Sequence, residues 1–498
     1  MRLRDLVRPL GEVAAHGDLD REITGLTDDS RQVSSGGLFV AVKGTQSDGH
    51  RYLNQAVSAG AGALVVEAGC VPAGTLDTFG VPVIEVRDSR HVLGVLASRF
   101  HGDPSQRLKM IGVTGTNGKT TTTYLCKSVL EAVGSKVGLI GTVAYLIGNE
   151  RIEATHTTPG AVELQRLFRR MVDAASDVAV MEVSSHALAL DRTAGCEFGT
   201  AVFTNLTQDH LDFHADMEDY FQAKLRLFRG LGPEGRAIVN LDDSYGARIA
   251  TATRAQVWTY AVERPADLRA EDVQVTLEGV RFTARTPAGT VALRSPLVGR
   301  HNVYNILAAV GAGLEQRIPL PTIAAGIAGL TNVPGRFERV EAGQPFTVVV
   351  DYAHTEDALF RLLTAAEAVK TGRIITVFGC GGDRDRGKRP KMGRVGAVYS
   401  DVVVVTSDNP RTEDPEAIIN EVIPGVRAGL REAGRGRYVV HVDRRAAIEE
   451  AVRMAQPGDL VLIAGKGHEN YQIIGKDKHP FDDRMVAREA IKALAQER

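Results

Sequence analysis

The segment KMIGVTGTNGKT, residues 109–120, joins the apolar run Lys109–Thr114 to a glycine-containing turn. A helical pattern over Thr121–Val133 follows the turn. In such a turn, backbone N–H groups point toward bound phosphates, and the dipole of the following helix favours negative charge. The segment therefore predicts a strand, a phosphate-binding loop and a helix of an α/β protein.

The turn departs from the strict G-x-x-x-x-G-K-[ST] pattern because Val113 stands where the first glycine belongs. Lys119 is expected to reach the β- and γ-phosphates of ATP, and the Thr120 hydroxyl is expected to bind Mg²⁺. The other residues of the predicted ATP-binding loop are Gly115, Thr116, Asn117, Gly118 and Thr121.

Similar short apolar runs alternate with helical patterns along the whole chain, at Ala63–Glu67, Val81–Val86, Val178–Val183, Ile374–Phe378, Val402–Thr406 and Leu460–Ala464. This alternation predicts an α/β fold whose parallel sheets are covered on both faces. A chain of 498 residues is expected to form three domains. Polar links at Phe100–Ser105 and Val333–Arg336 place them at residues 1–103, 104–335 and 336–498.

Composition excludes several classes of protein. Hydrophobic residues make up 44% and charged residues 24% of the chain, which excludes a disordered or disulfide-scaffold protein. With 59 basic and 61 acidic residues, the chain lacks the surplus of positive charge that nucleic-acid binding needs. Four scattered cysteines, a charged start at Met1–Asp5 and the lack of an 18-residue apolar run predict a cytoplasmic protein with reduced thiols and no membrane insertion. We expect it to be a monomer that binds small molecules.

Candidate metal ligands follow two further strands. Glu182 ends the run Val178–Val183, at the carboxyl edge where ligands bind to parallel sheets, and His186 comes four residues later. The segment Asn205–His214 is dense in oxygen and imidazole groups. We predict that Glu182 and His210 bind a metal, whereas Asp212 and His214 are expected to be structural. The alternative is a polar loop with capping residues.

Lys224 stands among apolar residues on one predicted helical face, which also carries Met217, Phe221, Leu225 and Phe228. The spacing leaves two interpretations open. The lysine could extend its amine to the surface while burying its stem. Alternatively, it is a buried lysine with altered chemistry.

Three loops in the last third of the chain each follow a predicted strand and mix glycine with charged residues: Phe378–Lys391, Asp408–Arg411 and Gly465–Glu469. Arginine-bearing loops suit the recognition of carboxylate or phosphate groups. Together the loops predict a pocket for a small zwitterion, although each alone could be a solvated turn.

These motifs, in this order, resemble the Mur ligase family, and the resemblance runs nearly end to end. It also includes Gly299–Asn302 and Asp351–His354. The resemblance implies an N-terminal domain for the uridine nucleotide, a central ATPase domain and a C-terminal Rossmann-like domain. The implied reaction joins meso-diaminopimelate to UDP-N-acetylmuramoyl-L-Ala-D-Glu through an acyl phosphate, during peptidoglycan synthesis.

The resemblance also implies roles for particular residues. Asn302, Arg336 and Asp351 would contact the nucleotide, and Lys224 would be carbamylated. Two Mg²⁺ ions would be bound, one by Thr120 and Glu182 and one by His210 and the carbamate. The implied UDP-substrate contacts are Ser30, Thr45, Gln46, Ser47, His156, Thr157, Thr158, Ser184 and Arg192.

For the amino acid, the resemblance implies contacts from Arg384, Asp408, Asn409, Pro410, Arg411, Gly465 and Glu469. Arg411 favours meso-diaminopimelate because a guanidinium can bind its second carboxylate, whereas ornithine and lysine, the alternatives, end in an ammonium. The chain departs from the family pattern at Asp28, Leu190 and Glu356. A folylpolyglutamate synthetase, a generic P-loop ATPase and a non-catalytic nucleotide-binding module are the remaining rivals.

Overall fold

The computed structural model describes residues 1–44 and 47–497. The N-terminal part contains a five-stranded sheet in the order β1-β5-β4-β3-β2, parallel except for the β1–β5 pair. Its strands are β1 (Ala14–His16), β2 (Leu26–Thr27), β3 (Leu38–Val40), β4 (Ala63–Glu67) and β5 (Val83–Val86). Its helices are α1 (Leu3–Val7), α2 (Leu53–Ser58), α3 (Ala73–Leu76) and α4 (Ser89–Phe100).

The central part contains an eleven-stranded sheet in the order β16-β15-β14-β13-β12-β11-β6-β10-β7-β8-β9. Its strands are β6 (Lys109–Thr114), β7 (Val137–Ile140), β8 (Tyr145–Ile147), β9 (Glu150–Ile152), β10 (Val178–Glu182), β11 (Thr200–Phe203), β12 (Arg236–Asn240), β13 (Gln256–Ala261), β14 (Leu268–Thr276), β15 (Gly279–Thr286) and β16 (Gly289–Ser295). Its helices are α5 (Lys119–Glu131), α6 (Ala161–Asp173), α7 (Ser185–Ala189), α8 (Met217–Arg229), α9 (Gly246–Ala252), α10 (His301–Glu315) and α11 (Leu320–Gly329). The neighbouring strands from β14 to β7 in this sheet order pair in parallel. The β16–β15, β15–β14, β7–β8 and β8–β9 pairs at the two edges are antiparallel.

The parallel strands of the central sheet are buried on both faces, which explains why they read as continuous apolar runs. In β6, Ile111 and Val113 pack into the core that includes Leu125 of α5, while Met110 packs into the core on the opposite face. Helices α5 and α10 cover the first face, and α6 and α8 cover the second. Because these strands run parallel, their carboxyl ends meet at one edge, and that edge carries the phosphate-binding loop.

The C-terminal part contains a six-stranded sheet in the order β17-β18-β22-β19-β20-β21, parallel except for the β17–β18 pair, and a separate hairpin. Its strands are β17 (Glu338–Arg339), β18 (Thr347–Asp351), β19 (Ile374–Phe378), β20 (Val402–Val405), β21 (Arg437–Val440) and β22 (Leu460–Ala464), and the hairpin consists of β23 (Tyr471–Ile474) and β24 (Asp477–Pro480). Its helices are α12 (Glu356–Glu367), α13 (Lys388–Tyr399), α14 (Pro415–Ala433), α15 (Arg444–Met454) and α16 (Asp483–Glu497).

The α/β class predicted from the sequence is confirmed, and each quoted apolar run forms a strand within one or two residues of the predicted ends. The three main sheets span residues 14–86, 109–295 and 338–464. The domain boundaries at 103 and 335 lie between these sheets and remain a prediction. All four cysteines are free thiols. Within the described residues, no helix has both the length and the apolarity required to cross a bilayer.

Phe203 tests the packing of the central sheet against α8. Its ring is fully buried and lies edge-on to the Phe228 ring, with 6.4 Å between centroids. Replacing a buried phenylalanine by alanine costs about 3–5 kcal/mol through lost burial and the cavity left behind. We therefore expect Phe203→Ala to lower the urea midpoint clearly, as followed by circular dichroism. Val133→Ala, at a side chain that is 45% exposed, is the control and should change the midpoint little. Equal midpoints for the two variants would contradict the packing described.

Candidate functional site

The predicted phosphate-binding loop joins β6 to the N-terminus of α5, and two of its glycines adopt positive φ angles. Gly115 has φ 151° and Gly118 has φ 87°. A Cβ on Gly115 would lie 1.9 Å from Thr204 Oγ1, and one on Gly118 would lie 2.4 Å from Asn305 Oδ1. Glycine is therefore required at both positions by conformation and by space.

The loop is braced by the segment that follows β11. Thr204 Oγ1 donates to the Asn117 carbonyl oxygen over 2.6 Å, and Asn117 N donates to Asn205 Oδ1 over 2.9 Å. Thr116 Oγ1 lies 3.1 Å from the Tyr220 hydroxyl. Thr204 and Asn205 thus hold the loop in its conformation through hydrogen bonds. The sequence analysis did not assign this role to the segment that begins at Asn205.

Two lysine side chains converge on the carbonyl oxygen of Gly115. Lys119 Nζ donates to it over 2.9 Å and Lys224 Nζ over 2.8 Å. Lys224 is 1% exposed, with its amine 4.5 Å from the centre of the Tyr220 ring, so the interpretation in which it reaches the surface is wrong. Burial, reinforced by the charge of Lys119, holds the pKa of Lys224 well below its ordinary value.

Glu182 lies fully buried at the end of β10, beside the loop. Its Oε1 accepts from Thr142 N over 2.9 Å and its Oε2 accepts from Thr142 Oγ1 over 3.0 Å. On the other side, the His186 and His210 rings meet edge-on with centroids 4.8 Å apart. Burial lowers the pKa of His210 to about 4, so its imidazole is neutral near pH 7. His214 is buried between Ser185 and Asp219, as a structural residue would be.

A cleft opens between the loop, α10 and the start of the C-terminal part, and the three predicted nucleotide contacts line it: Asn302, Arg336 and Asp351. Arg336 Nη2 lies 3.2 Å from Thr120 Oγ1, so a residue of the C-terminal part contacts the loop directly. Asp351 accepts backbone hydrogen bonds from Phe337 over 2.7 Å and Ala353 over 2.8 Å. Burial raises the pKa of Asp351, although the charge of Arg336 opposes the shift.

The residues predicted for the UDP-linked substrate fall into two groups. Near Glu182, Thr158 Oγ1 donates to the Glu182 carbonyl oxygen over 2.8 Å, and Arg192 Nη1 donates to the Thr158 carbonyl oxygen over 2.9 Å. Thr157 Oγ1 lies 3.0 Å from Thr142 Oγ1. Ser184 caps α7, and exposed His156 precedes these threonines.

The second group lies in the N-terminal part. Ser30 Oγ donates to Gln55 Oε1 over 3.3 Å, and Ser47 Oγ lies 3.1 Å from the Tyr52 hydroxyl. Thr45 and Gln46 lie outside the described residues.

A second cleft lies between the central and C-terminal parts. Its walls include His210 from the central part and, from the C-terminal part, Arg384, Asp408, Asn409, Arg411, Gly465 and Glu469. The three loops predicted to form a zwitterion pocket are therefore brought together. Arg411 Nη1 donates to the Gly382 carbonyl oxygen over 2.8 Å, and Asn409 Nδ2 donates to Glu469 Oε2 over 3.0 Å. Pro410 is buried but does not line this cleft.

Sequence reasoning assigned no role to Tyr352, His354 and Lys388, which also line this second cleft. His354 Nδ1 lies 2.8 Å from the Tyr352 carbonyl oxygen, and Lys388 Nζ donates to the His354 carbonyl oxygen over 2.9 Å. The signal was available for two of them, since Tyr352 and His354 directly follow the apolar run of β18.

A glycine-dependent loop at a helix N-terminus, a cleft beside it and a charged second cleft, all on a three-sheet α/β chain, are typical of enzymes that use a nucleotide. Three family models match in order: "Mur ligase family, catalytic domain" over residues 22–101, "Mur ligase middle domain" over 113–313 and "Mur ligase, glutamate ligase domain" over 335–467. The chain belongs to the Mur ligase family.

Relatives within the family carry a more specific name. The chain is 50% identical to the UDP-N-acetylmuramoyl-L-alanyl-D-glutamate–2,6-diaminopimelate ligase of Gloeobacter violaceus, over 99% of this chain and 98% of that protein. It is 48% identical to the ligase of the same name from Geobacter metallireducens, over 99% of both chains. A solved structure of a ligase with this name superposes with a TM-score of 0.71, at 33% identity and over 99% of both chains.

Gly115→Ala tests the close approach of the loop to Thr204. The added Cβ would meet Thr204 Oγ1 and the Asn205 carbonyl oxygen in a backbone conformation that L-residues rarely adopt. The loop must shift, and we expect nucleotide affinity, measured by calorimetric titration with ADP, to fall at least tenfold. Gly74→Ala is the matched control, because a Cβ there meets no atom within 4 Å. Unchanged affinity in Gly115→Ala would show that the loop does not hold the phosphates.

Proposed function

We propose that this chain is an ATP-dependent ligase that joins the amine of meso-diaminopimelate to UDP-N-acetylmuramoyl-L-Ala-D-Glu. The observation that carries the proposal is the second cleft, where His210 beside the phosphate-binding loop faces Arg411 and Glu469 from the C-terminal part. A group activated at the loop and an amine held by the C-terminal loops can meet there. The names of the full-length relatives agree with this reaction.

The chemistry proceeds in two steps. A carboxylate is a poor electrophile, so transfer of the γ-phosphoryl group of ATP first converts it to an acyl phosphate and releases ADP. The N-terminus of α5, Lys119 and Arg336 place positive charge around the transferring group, which is the main source of catalysis in phosphoryl transfer. The neutral amine then attacks the acyl carbon, forming the amide and expelling phosphate.

The donor set fits Mg²⁺, which prefers oxygen ligands and keeps several of its sites for water and substrate phosphates. Thr120 and Glu182 supply oxygens next to the loop, and the neutral His210 imidazole lies across from them. Among the described residues, no group of three His, Cys, Asp or Glu side chains is placed to hold a metal by itself. This arrangement suits an ion that arrives with the nucleotide. Bound there, Mg²⁺ would neutralise charge on the phosphate groups.

Lys224 is suited to carbamylation. Its lowered pKa favours the neutral amine, which adds to CO₂ to form an N-carboxylate while one proton leaves. The modification replaces a buried neutral amine beside Lys119 with an anion. That anion would pair with Lys119 and offer oxygen ligands to Mg²⁺.

The substrate specificity is proposed from the charges of the second cleft. Arg411 supplies a guanidinium for the far carboxylate of diaminopimelate, and Glu469 supplies a carboxylate for an ammonium. Ornithine or lysine would instead bring an ammonium toward Arg411, where like charges repel.

The function is tested by measuring phosphate release from ATP with UDP-N-acetylmuramoyl-L-Ala-D-Glu and each candidate amine. We expect meso-diaminopimelate to be preferred over L-lysine and L-ornithine by about 10–100-fold in kcat/KM, as one charge-assisted pair allows. Arg411→Ala should remove most of this preference, whereas Arg453→Ala, at an exposed arginine on α15, should retain it. Phosphate release that depends on neither the carboxylate substrate nor the amine would indicate a generic ATPase. A preference for lysine or ornithine would refute the substrate proposed.

Lys224→Ala tests the carbamate. Removal of the side chain should reduce kcat by at least about 100-fold, the scale of losing one charge-stabilising group. A short-chain carboxylate added to the assay should restore part of the activity, because it can replace the missing anion. Full activity in Lys224→Arg would be incompatible with the carbamate, since a guanidinium stays cationic and does not react with CO₂.

A further inference from the structure

Lys466 lies directly beneath the second cleft, fully buried, and has no role in the proposal above. Its Nζ donates to Asn409 Oδ1 over 2.8 Å and to the Tyr471 carbonyl oxygen over 2.9 Å. The same atom lies 3.2 Å from Asp408 Oδ1 and 3.8 Å from Glu469 Oε2. One ammonium group thus connects the loop after β20, the loop after β22 and the hairpin strand β23.

We propose that Lys466 is a positioning residue that holds Glu469 and Asn409 in place for the ammonium end of the diamino acid and supplies the positive charge that favours the carboxylate form of Glu469. The inference rests on the proposed function, since it concerns the same cleft. Lys466 does not line that cleft, so it acts through its neighbours.

The charges beneath the cleft support this role. Asp408 and Glu469 are two carboxylates that share the buried Lys466 cation, at 3.2 and 3.8 Å from its Nζ. Without Lys466, two buried carboxylates would face each other, and one of them would retain a proton. Burial and the charge of Asp408 raise the pKa of Glu469, while Lys466, Asn409 and Arg411 oppose the shift. Arg444, Tyr352 and Tyr471 also face Glu469; Arg444 is cationic, and the raised pKa values of the two tyrosines keep them neutral near pH 7.

The strand ends themselves are fixed by a different residue, which makes the effect of Lys466 local. Arg444 is fully buried and forms a two-bond ion pair with Asp483, at 2.8 and 2.6 Å. The same guanidinium donates to the carbonyl oxygens of Ser407 over 3.4 Å and Ala464 over 3.1 Å. These hydrogen bonds fix the ends of β20 and β22 without involving Lys466.

The decisive variant is Lys466→Met, which keeps the length of the side chain and removes its charge. We expect the KM for meso-diaminopimelate to rise at least tenfold near pH 7, while the KM values for ATP and the UDP-linked substrate stay within twofold. Raising the pH to 9 should lower the diaminopimelate KM of the variant, because Glu469 then ionises. Lys370→Met, at a lysine paired with Glu367 after α12, is the matched control and should leave all three KM values unchanged.

Two further measurements keep the inference open to refutation. In a Glu469→Gln background, Lys466→Met should add little to the diaminopimelate KM, because its partner is already neutral; a fully multiplicative effect would overturn the inference. If Lys466→Met does not fold, the pH dependence of the wild type provides the test. Its KM for diaminopimelate should change little from pH 6.5 to 8.5, because Glu469 is ionised over that range. A tenfold fall in this KM would contradict an ionised Glu469.

Different results would refute the proposed function and the role of Lys466. Wild-type protein that releases no phosphate in response to diaminopimelate would refute the proposed function. Wild-type protein that does so, beside a Lys466→Met variant with an unchanged KM, would refute only the role of Lys466.

Discussion

The carbonyl oxygen of Gly115 accepts hydrogen bonds from two lysine side chains, Lys119 and Lys224, inside a protein core. Two ammonium groups at about 4 Å repel by about 4 kcal/mol at an effective dielectric constant of 20. This repulsion favours a neutral or modified form of one of the two amines. Burial lowers the pKa of both lysines, and the pKa of Lys224, which packs against Tyr220 beside the charge of Lys119, falls well below its ordinary value.

The same carbonyl belongs to the loop that receives the C-terminal part of the chain. Asn117 Nδ2 donates to Asp357 Oδ2 over 2.6 Å, and Arg336 reaches Thr120. Both contacts join the predicted phosphate-binding loop to the C-terminal part, which therefore forms one wall of the cleft beside the loop. In the proposed reaction, an acyl phosphate formed there would be enclosed on a side that otherwise faces water, which would protect it from hydrolysis.

The sequence predicted the parallel strands and the loop between β6 and α5 well, because fully buried strands and glycine-dependent turns leave local patterns. No strand was predicted from the sequence where the antiparallel strands β14 to β16 lie. In β14 the residues alternate between buried and exposed positions, so no continuous apolar run marks the strand. The family assignment drawn from the ordered motifs is confirmed by the family models and the full-length relatives.

The site was harder to predict wherever its parts are distant in sequence. Helical spacing could not distinguish a surface lysine from a buried one at position 224, since only the packing of α8 against the loop settles it. Lys466 stands within a motif that the sequence analysis quoted, yet its contact with Asn409 spans 57 residues and follows no local pattern. The roles of Ser30, Arg192 and the other individual substrate contacts remain predictions.

The two clefts differ in the charges that line them, and Tyr352 lies between them. Its ring packs against the Arg336 guanidinium at 4.8 Å on the nucleotide side and against the His468 ring at 4.9 Å, with His354 at 4.6 Å. The nucleotide side presents Arg336, with Lys119 in the adjoining loop, whereas the second cleft presents Asp408 and Glu469 together with Arg384, Lys388 and Arg411. A triphosphate is favoured by the cations of the first side, whereas the mixed charges of the second favour a molecule that carries both ammonium and carboxylate groups. The orientation proposed for the two substrates therefore agrees with the different charges on the two sides of the Tyr352 ring, because each substrate group meets side chains of the opposite sign.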